Sequence, residues 1–94
     1  MKKIYISGAI SNDPGYLQKF LSAEDLLRAR GYDVVNPATL PHNHGHTWGE
    51  YMVECLKAMI KCESLYMLKG WESSRGAFLE WRLASDSGFK IIYQ

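Results

Sequence analysis

Four short runs of β-branched and aromatic residues alternate with three stretches in which apolar residues recur at helical spacing. Such runs, bounded by turn residues, are typical of strands. They predict strands at Lys3–Ser7, Tyr32–Asn36, Ser64–Leu68 and Lys90–Tyr93. The stretches between them carry apolar residues three and four positions apart, which predicts amphipathic helices. The chain therefore has the element order βαβαβαβ.

Polar capping residues and glycines predict where the three helices begin and end. Each start has a capping residue ahead of an apolar stretch: Asn12-Asp13-Pro14, Thr47-Trp-Gly-Glu50 and Ser73-Ser74. The first helix runs to Arg30 and the last to about Asp86, and Gly31 and Gly88 close them, because glycine adopts the left-handed conformation without penalty. Residues 37–47 are rich in Pro, His, Asn and Gly, which predicts a loop.

This alternation predicts an α/β fold, a flavodoxin-like three-layer sandwich with a four-stranded parallel sheet and three main helices. The expected strand order is 2-1-3-4. Sheets of this kind bind ligands beyond the carboxyl ends of the strands where the order reverses, here between strands one and three. The loops Ser7–Asp13 and Lys69–Ser74 are therefore expected around one crevice.

Length and composition restrict the classes of protein that need to be considered. Ninety-four residues, 47% of them hydrophobic, suit a single domain over residues 1–94. A formal net charge of +1 without a basic run argues against binding to a nucleic acid polymer. No apolar stretch approaches the length of a membrane span or of a signal peptide, so a cytoplasmic protein without a membrane partner is expected.

The cysteines and histidines predict neither a disulfide nor a metal site. Cys55 and Cys62 lie seven residues apart in one helical pattern and are expected to be reduced core residues. His42, His44 and His46 alternate in the predicted loop. Imidazoles at that spacing can share a metal, but a polar lid is the favoured interpretation, and no metal site is predicted.

The first βα loop and two tryptophans are candidates for ligand contact. The loop Ser7–Gly15 offers free amides at a helix start, which suits an anion, although an ordinary βα turn is the favoured interpretation. The loop matches neither a Walker motif nor a dinucleotide fingerprint. Trp48 and Trp71 flank the expected crevice, where they would either stack on a flat base or belong to the core.

Glu80 is the candidate catalytic residue. Its neighbours on the same helix face are Gly76, Ala77 and Ala84, small residues that permit close approach to the sheet. No Lys or Arg lies three or four residues away to pair with it on a surface. A carboxylate on a sheet-facing stripe is a candidate nucleophile or base, and a partly solvated glutamate is the alternative. The Tyr5 hydroxyl, on the first strand, is a candidate partner for this carboxylate, with a packed core tyrosine as the default interpretation.

Several of these segments together resemble the nucleoside 2-deoxyribosyltransferase superfamily, in particular its small phage and bacterial members related to nucleoside-monophosphate N-glycosidases. The resemblance spans nearly the whole chain, and its most specific part is the stretch from Gly70 to Glu80. The segments that carry it are Tyr5-Ile-Ser-Gly8, Asn36-Pro37-Ala38, Thr47-Trp48 with Tyr51-Met52, Gly70-Trp71 and Ser74-Arg-Gly-Ala-x-x-Glu80.

The resemblance implies an enzyme that acts on the N-glycosidic bond of a nucleoside or nucleotide. Glu80 then corresponds to the nucleophile and Tyr5 to the residue that orients it. The implied substrate contacts are Ser7, Gly8, Ser11, Asn36, Trp48, Trp71, Ser74 and Gly76. The resemblance implies no cofactor and no metal, and it implies a homo-oligomer, a dimer or larger.

Two departures from the superfamily pattern keep a second interpretation open. Cys55 occupies the position where relatives usually have an aspartate that assists the leaving base. Ala9 and Ser11 replace the serine and arginine found in the first loop of the monophosphate hydrolases. These changes favour a binding module with weak or no catalysis, whereas Glu80 with Tyr5 favours an enzyme.

Overall fold

The computed structural model describes residues 2–40 and 47–94, which form a four-stranded parallel sheet flanked by three helices. The strands are β1 (Lys3–Ser7), β2 (Asp33–Val35), β3 (Ser64–Met67) and β4 (Lys90–Tyr93). The helices are α1 (Tyr16–Ala29), α2 (Trp48–Met59) and α3 (Arg75–Asp86). The strand order is β2-β1-β3-β4 and every pairing is parallel, as the sequence predicts.

The alternation of side chains along β1 divides the core into two layers. Ile4 and Ile6 face α1, where they pack with its buried residues Phe20, Ala23 and Leu27. Tyr5 belongs to the opposite layer, which the buried faces of α2 and α3 complete with Cys55, Met59, Ala77 and Ala84. Because successive strand residues point to opposite faces, Tyr5 and Ser7 share the face that meets α2 and α3.

The predicted start of α1 is wrong, whereas those of α2 and α3 are confirmed. Gly15, without a side-chain cap, precedes α1. The Asp13 carboxylate accepts hydrogen bonds from the Gly15 N–H in the turn before the helix and from the ammonium of Lys19 in the first turn of the helix. Thr47 and Glu50 form the predicted capping box of α2. Ser74, the second of the two proposed caps, accepts the Ala77 N–H at 3.2 Å.

The bounds of β1 and β4 and the end of α3 agree with the predictions, whereas α1 ends one residue earlier than predicted, at Ala29. β2 and β3 are shorter than predicted, and residues Pro37–Thr39 of the predicted loop form a short 3₁₀ helix. The glycines that close α1 and α3, Gly31 and Gly88, have positive φ angles of 90° and 79°, as a left-handed helix end requires. Both cysteines are free and buried. None of the described helices combines the length and apolar character that crossing a membrane requires.

Gly8 follows β1 at the carboxyl end of the sheet, where it packs against Leu68. A Cβ atom at position 8 would lie 2.9 Å from the Leu68 Cβ. Leu68 cannot easily move away, because its backbone N–H donates a 2.8 Å hydrogen bond to the Ser7 carbonyl. The turn after β1 therefore requires a residue without a side chain.

Replacing Gly8 by alanine is expected to destabilise the protein by about 1–3 kcal/mol, because the overlap with Leu68 forces the two chain segments apart. Urea unfolding measures the change. Gly49→Ala is the control, since its Cβ would meet no atom closer than 3.9 Å and alanine favours the helix there. Equal stability of Gly8→Ala and the wild type would contradict the packing described here.

Candidate active site

A cavity of about 330 Å³ lies beyond the carboxyl ends of β1 and β3, where the strand order predicts a ligand site. Its walls come from β1 and the β1–α1 loop, the 3₁₀ helix after β2, one face of α2 and the first two turns of α3. The described residues that line it are Tyr5, Gly8, Ile10, Ser11, Asn12, Pro37, Trp48, Tyr51, Met52, Cys55, Ser73, Ser74, Arg75, Gly76, Ala77 and Glu80.

Glu80 lies in the second turn of α3 and faces the sheet. Ala77 and Ala84, one turn away on either side, are buried, and their small side chains let the helix approach β1 closely. Only 4% of the Glu80 surface is exposed, although the residue lines the cavity. The alternative of a partly solvated surface glutamate is therefore excluded.

Two hydroxyl groups on β1 hold the Glu80 carboxylate. The Tyr5 hydroxyl donates to Oε2 at 2.6 Å, and the Ser7 hydroxyl donates to Oε1 at 2.7 Å. Both donors are fully buried. Since they lie two residues apart on one strand, they present their hydroxyls to the same face of the sheet. Each carboxylate oxygen thus has one fixed donor, which sets the orientation of the group.

Burial raises the pKa of Glu80 to about 7, because the charged form loses its hydration in the core. The hydrogen bonds from Tyr5 and Ser7 act in the opposite direction, since they stabilise the carboxylate. Burial and the nearby Glu80 charge raise the pKa of Tyr5, so this phenol keeps its proton and remains a donor. Glu80 therefore exchanges its proton near neutral pH while its partners do not.

Cys55 lies on α2 at the wall of the cavity and is 2% exposed. Burial raises the pKa of its thiol, and the charge of Glu80 raises it further. The pKa of Tyr51, one turn earlier on the same helix, is also raised, chiefly by burial. The side of the cavity next to Glu80 thus consists of neutral groups, and Cys55 supplies no readily ionised acid.

Two of the described residues that line the cavity are charged. Among the described residues that line it, Glu80 is the single carboxylate and Arg75 the single cation. The Arg75 guanidinium lies over the Trp48 ring, with Cζ 3.8 Å from the ring centroid. Cation–π contacts of this kind hold an arginine in place without neutralising its charge.

Seven of the ten predicted site residues line the cavity. They are Tyr5, Gly8, Ser11, Trp48, Ser74, Gly76 and Glu80. Ser7, predicted as a substrate contact, lies one layer behind the wall, where its hydroxyl is committed to Glu80. The sequence contains the signal for this role, because Ser7 lies two residues after Tyr5 on the same strand.

Asn36 and Trp71 lie outside the cavity lining, so their role as substrate contacts stays a prediction that the lining does not support. The Asn36 amide accepts the Ala38 N–H at 2.9 Å and donates to Glu24 at 3.0 Å, so it is occupied in fixing the chain after β2. The Trp71 ring packs on Trp81, with centroids 5.2 Å apart, because the turn before α3 directs it toward β4. Both residues serve the fold.

Arg75 is the charged lining residue, among those that the structure describes, that was not among the ten predicted site residues. It lies inside the Ser74-to-Glu80 motif, but only its neighbours were assigned roles. The available signal was a cation at the first position of a helix, where the helix dipole disfavours positive charge.

The described residues include no group of three or more His, Cys, Asp or Glu arranged to hold a metal ion. His42, His44 and His46, the alternating histidines of the sequence, lie outside the described residues. The choice between a metal site and a polar lid for them therefore stays a prediction.

The parallel sheet with helices on both faces defines a doubly wound α/β domain. Its cavity lies beyond the carboxyl ends of the central strands, which is where such domains bind ligands. Residues 2–93 match the model of a family described as a domain of unknown function (DUF4406), and the chain belongs to this family. No curated protein matches the chain.

Proposed function

We propose that this chain cleaves the N-glycosidic bond of a nucleoside or deoxynucleotide, with Glu80 as the nucleophile. The observation that carries the proposal is the Glu80 carboxylate, buried at the cavity wall and held by the hydroxyls of Tyr5 and Ser7 at 2.6 and 2.7 Å. A desolvated carboxylate in a fixed orientation is what attack on a sugar carbon requires.

The proposed reaction has two steps, as in retaining glycoside hydrolysis. An oxygen of ionised Glu80 attacks the anomeric carbon C1′, the C1′–N bond breaks, and its electron pair leaves with the base, which takes a proton from water. Water then attacks C1′ of the resulting sugar ester, and the bond between C1′ and the Glu80 oxygen breaks with its electron pair on the carboxylate. The proton that this water gives up neutralises the hydroxide left in the first step. Transfer of the sugar to a second base in place of water gives the related deoxyribosyltransferase reaction.

The carboxylate environment supports both steps. With a pKa of about 7, Glu80 is ionised in a large fraction of molecules near neutral pH, so the nucleophilic form is available. Tyr5 and Ser7 keep their protons and stabilise the negative charge when the ester breaks down. A cavity of about 330 Å³ is at the small end of ligand sites, which suits one nucleoside or nucleotide and not a polymer.

The resemblance to the nucleoside 2-deoxyribosyltransferase superfamily agrees with this proposal. Its motifs lie far apart in the chain, yet Tyr5, Gly8, Trp48, Ser74 and Glu80 meet at one cavity. The same resemblance extends the proposal to a homo-oligomer in the cytoplasm of a bacterium or of a phage-infected cell.

A binding module with little or no catalysis is the second candidate. It is favoured by the composition of the described lining, in which Glu80 has no second carboxylate to protonate the leaving base. Cys55, on the adjacent helix, is a neutral thiol whose raised pKa makes it a weak acid for that task.

Base release distinguishes the two functions. The protein is incubated with deoxynucleosides, ribonucleosides and their 5′-monophosphates, and free base is measured by liquid chromatography. Release that depends on Glu80 but is unchanged in Glu54→Gln, which alters an exposed glutamate of α2, supports the enzyme. Saturable binding without release supports the binding module, and neither binding nor release contradicts both.

A further inference from the structure

The outer side of α2 and α3, away from the sheet, carries four large aliphatic side chains that the fold leaves exposed. Val53 of α2 and Ile60, which caps the end of that helix, are 49% and 62% exposed. Leu79 and Leu83 of α3 are 41% and 36% exposed. Single exposed apolar residues are ordinary, whereas a contiguous set marks a contact surface.

The four side chains lie along the line where the two helices meet. A Cβ atom at Gly76, in the first turn of α3, would lie 3.0 Å from the sulfur of Met52, in the second turn of α2, so the helices contact each other there. Leu79 and Leu83 follow Gly76 at helical spacing and continue that flank of α3. The matching flank of α2 continues from Met52 in the same way. The resulting surface, the α2–α3 face, consists of Val53, Leu56, Ile60, Leu79 and Leu83.

Exposed charges follow opposite orders along the two helices. α2 has an acidic residue, Glu50, in its first turn and a basic residue, Lys57, in its last turn. α3 begins at Arg75 and ends at Asp86, so its basic residue comes first. All four side chains are exposed. Each helix is therefore complementary in charge to a second copy of itself that runs in the opposite direction.

A two-fold axis across the α2–α3 face satisfies the apolar and the charged pattern together. Such an axis reverses the direction of the helices and makes every contact occur twice. On α3, the midpoint between the two charged ends nearly coincides with the midpoint between the two exposed leucines, so one axis pairs both sets. The expected contacts join Arg75 to Asp86 of the partner subunit, Leu79 to Leu83 of the partner subunit and Val53 to Ile60 of the partner subunit.

We infer that the α2–α3 face binds a second copy of this chain and forms a two-fold symmetric dimer with antiparallel helices. Burial of the aliphatic side chains drives the association. Antiparallel helices also oppose their dipoles, whereas a parallel arrangement would gather four positive helix starts at one end. The superfamily resemblance implies an oligomer without naming a surface; the choice of this face rests on its exposed residues and charges, and not on the proposed reaction.

Sedimentation equilibrium of the 94-residue chain tests the contact. The wild type is expected to form a dimer with a dissociation constant in the micromolar range or below. Leu79→Glu places a carboxylate on the apolar face of both copies and is expected to raise this constant at least about a hundredfold. Leu17→Glu is the matched control, because Leu17 is 45% exposed and belongs to α1, on the other face of the sheet. It is expected to leave the constant unchanged.

A charge exchange within α3 tests the antiparallel orientation. Asp86→Arg sets two positive charges against each other across the axis, which is expected to weaken the dimer by about threefold to tenfold. Adding Arg75→Glu restores opposite charges, so the double variant is expected to return to within about twofold of the wild type. Both variants lack the ion pair between Asp86 and Arg82, so their difference reports the contact across the axis. Both substitutions suit the helix dipole, so the helix itself is not weakened.

A monomeric wild type, a dimer that survives Leu79→Glu, or a double variant as weak as Asp86→Arg would each overturn the inference. Circular dichroism verifies that the variants are folded. The base-release assay is independent of these results. Base release by a monomer leaves the proposed enzyme without the dimer, whereas a dimer that releases no base leaves the contact without the enzyme.

Discussion

Base release is expected to fall by on the order of 10³-fold or more when Glu80 is replaced by glutamine. The amide preserves the size of the side chain but cannot form the sugar ester through a carboxylate oxygen. Because Glu80 touches no charged partner among the described residues, the substitution leaves no uncompensated charge in the core. The fold should therefore persist, which circular dichroism and cooperative unfolding verify.

The activity of wild-type protein should also rise with pH through the Glu80 titration. The nucleophile is the ionised form, and burial raises the Glu80 pKa to about 7, so the rising limb of the rate profile is expected near that value. Glu54→Gln should reproduce both the rate and the profile of the wild type. If Glu80→Gln retains activity within tenfold of wild type, Glu80 is not the nucleophile.

The second large effect concerns the free energy of unfolding. The Glu80 pKa is raised from 4.5 to about 7 on folding. Below the unfolded value both states hold the proton, so the full stability is present. As the pH rises toward 7, the unfolded chain releases the proton before the folded one, and stability falls; above the folded value the loss is complete. This single group accounts for a loss of roughly 3 kcal/mol between about pH 4 and 8.

Urea unfolding at several pH values measures this loss. Other acids titrate in the same window, so the comparison is with Glu80→Gln, in which the amide carries no titratable proton. The decrease in stability between pH 4 and 8 should be smaller in the variant by roughly 3 kcal/mol. Any constant cost of rearranging the Tyr5 and Ser7 hydrogen bonds cancels in this difference. Parallel pH dependences in the two proteins would show that Glu80 is not buried as described.

The sheet order and the orientation of Glu80 could both be predicted because they depend on strong local patterns. Four strand-like runs alternating with helices leave few topologies once crossovers are right-handed, and the order β2-β1-β3-β4 is the expected one. Glu80 shares a helix face with Ala77 and Ala84, which fixes the direction of its side chain. Both predictions follow from the regular spacing of residues along a strand or a helix.

The positions that differ from the sequence predictions concern groups with several available partners. Asp13 was expected to open α1, but its carboxylate accepts hydrogen bonds from the Gly15 N–H and the Lys19 ammonium, and the helix begins at Tyr16. Asn36 was expected at the ligand, but its amide is taken by the backbone and by Glu24. Trp71 was expected to flank the crevice, but its ring packs against Trp81 of α3 and Tyr93 of β4. Which partner a polar or aromatic group selects depends on distances between segments, and these are not local properties of the sequence.

The positions of Ser7 and Arg75 can be predicted from the sequence, but their contacts depend on how the helices pack. Strand alternation places Ser7 on the face of Tyr5, yet only the docking of α3 shows that one carboxylate accepts from both. The charge of Arg75 is visible in the sequence, whereas its contact with Trp48 joins the starts of two helices that are 27 positions apart.

The two hydroxyls that hold Glu80 belong to β1, which lies between β2 and β3 in the interior of the sheet. Interior strands are protected from hydrogen exchange until the whole domain opens, whereas loops and edges open locally at little cost. The two hydroxyls therefore hold Glu80 in its orientation until the domain unfolds as a whole. Partial fluctuations at the loops around the cavity can admit or release a ligand while the geometry of the carboxylate stays intact.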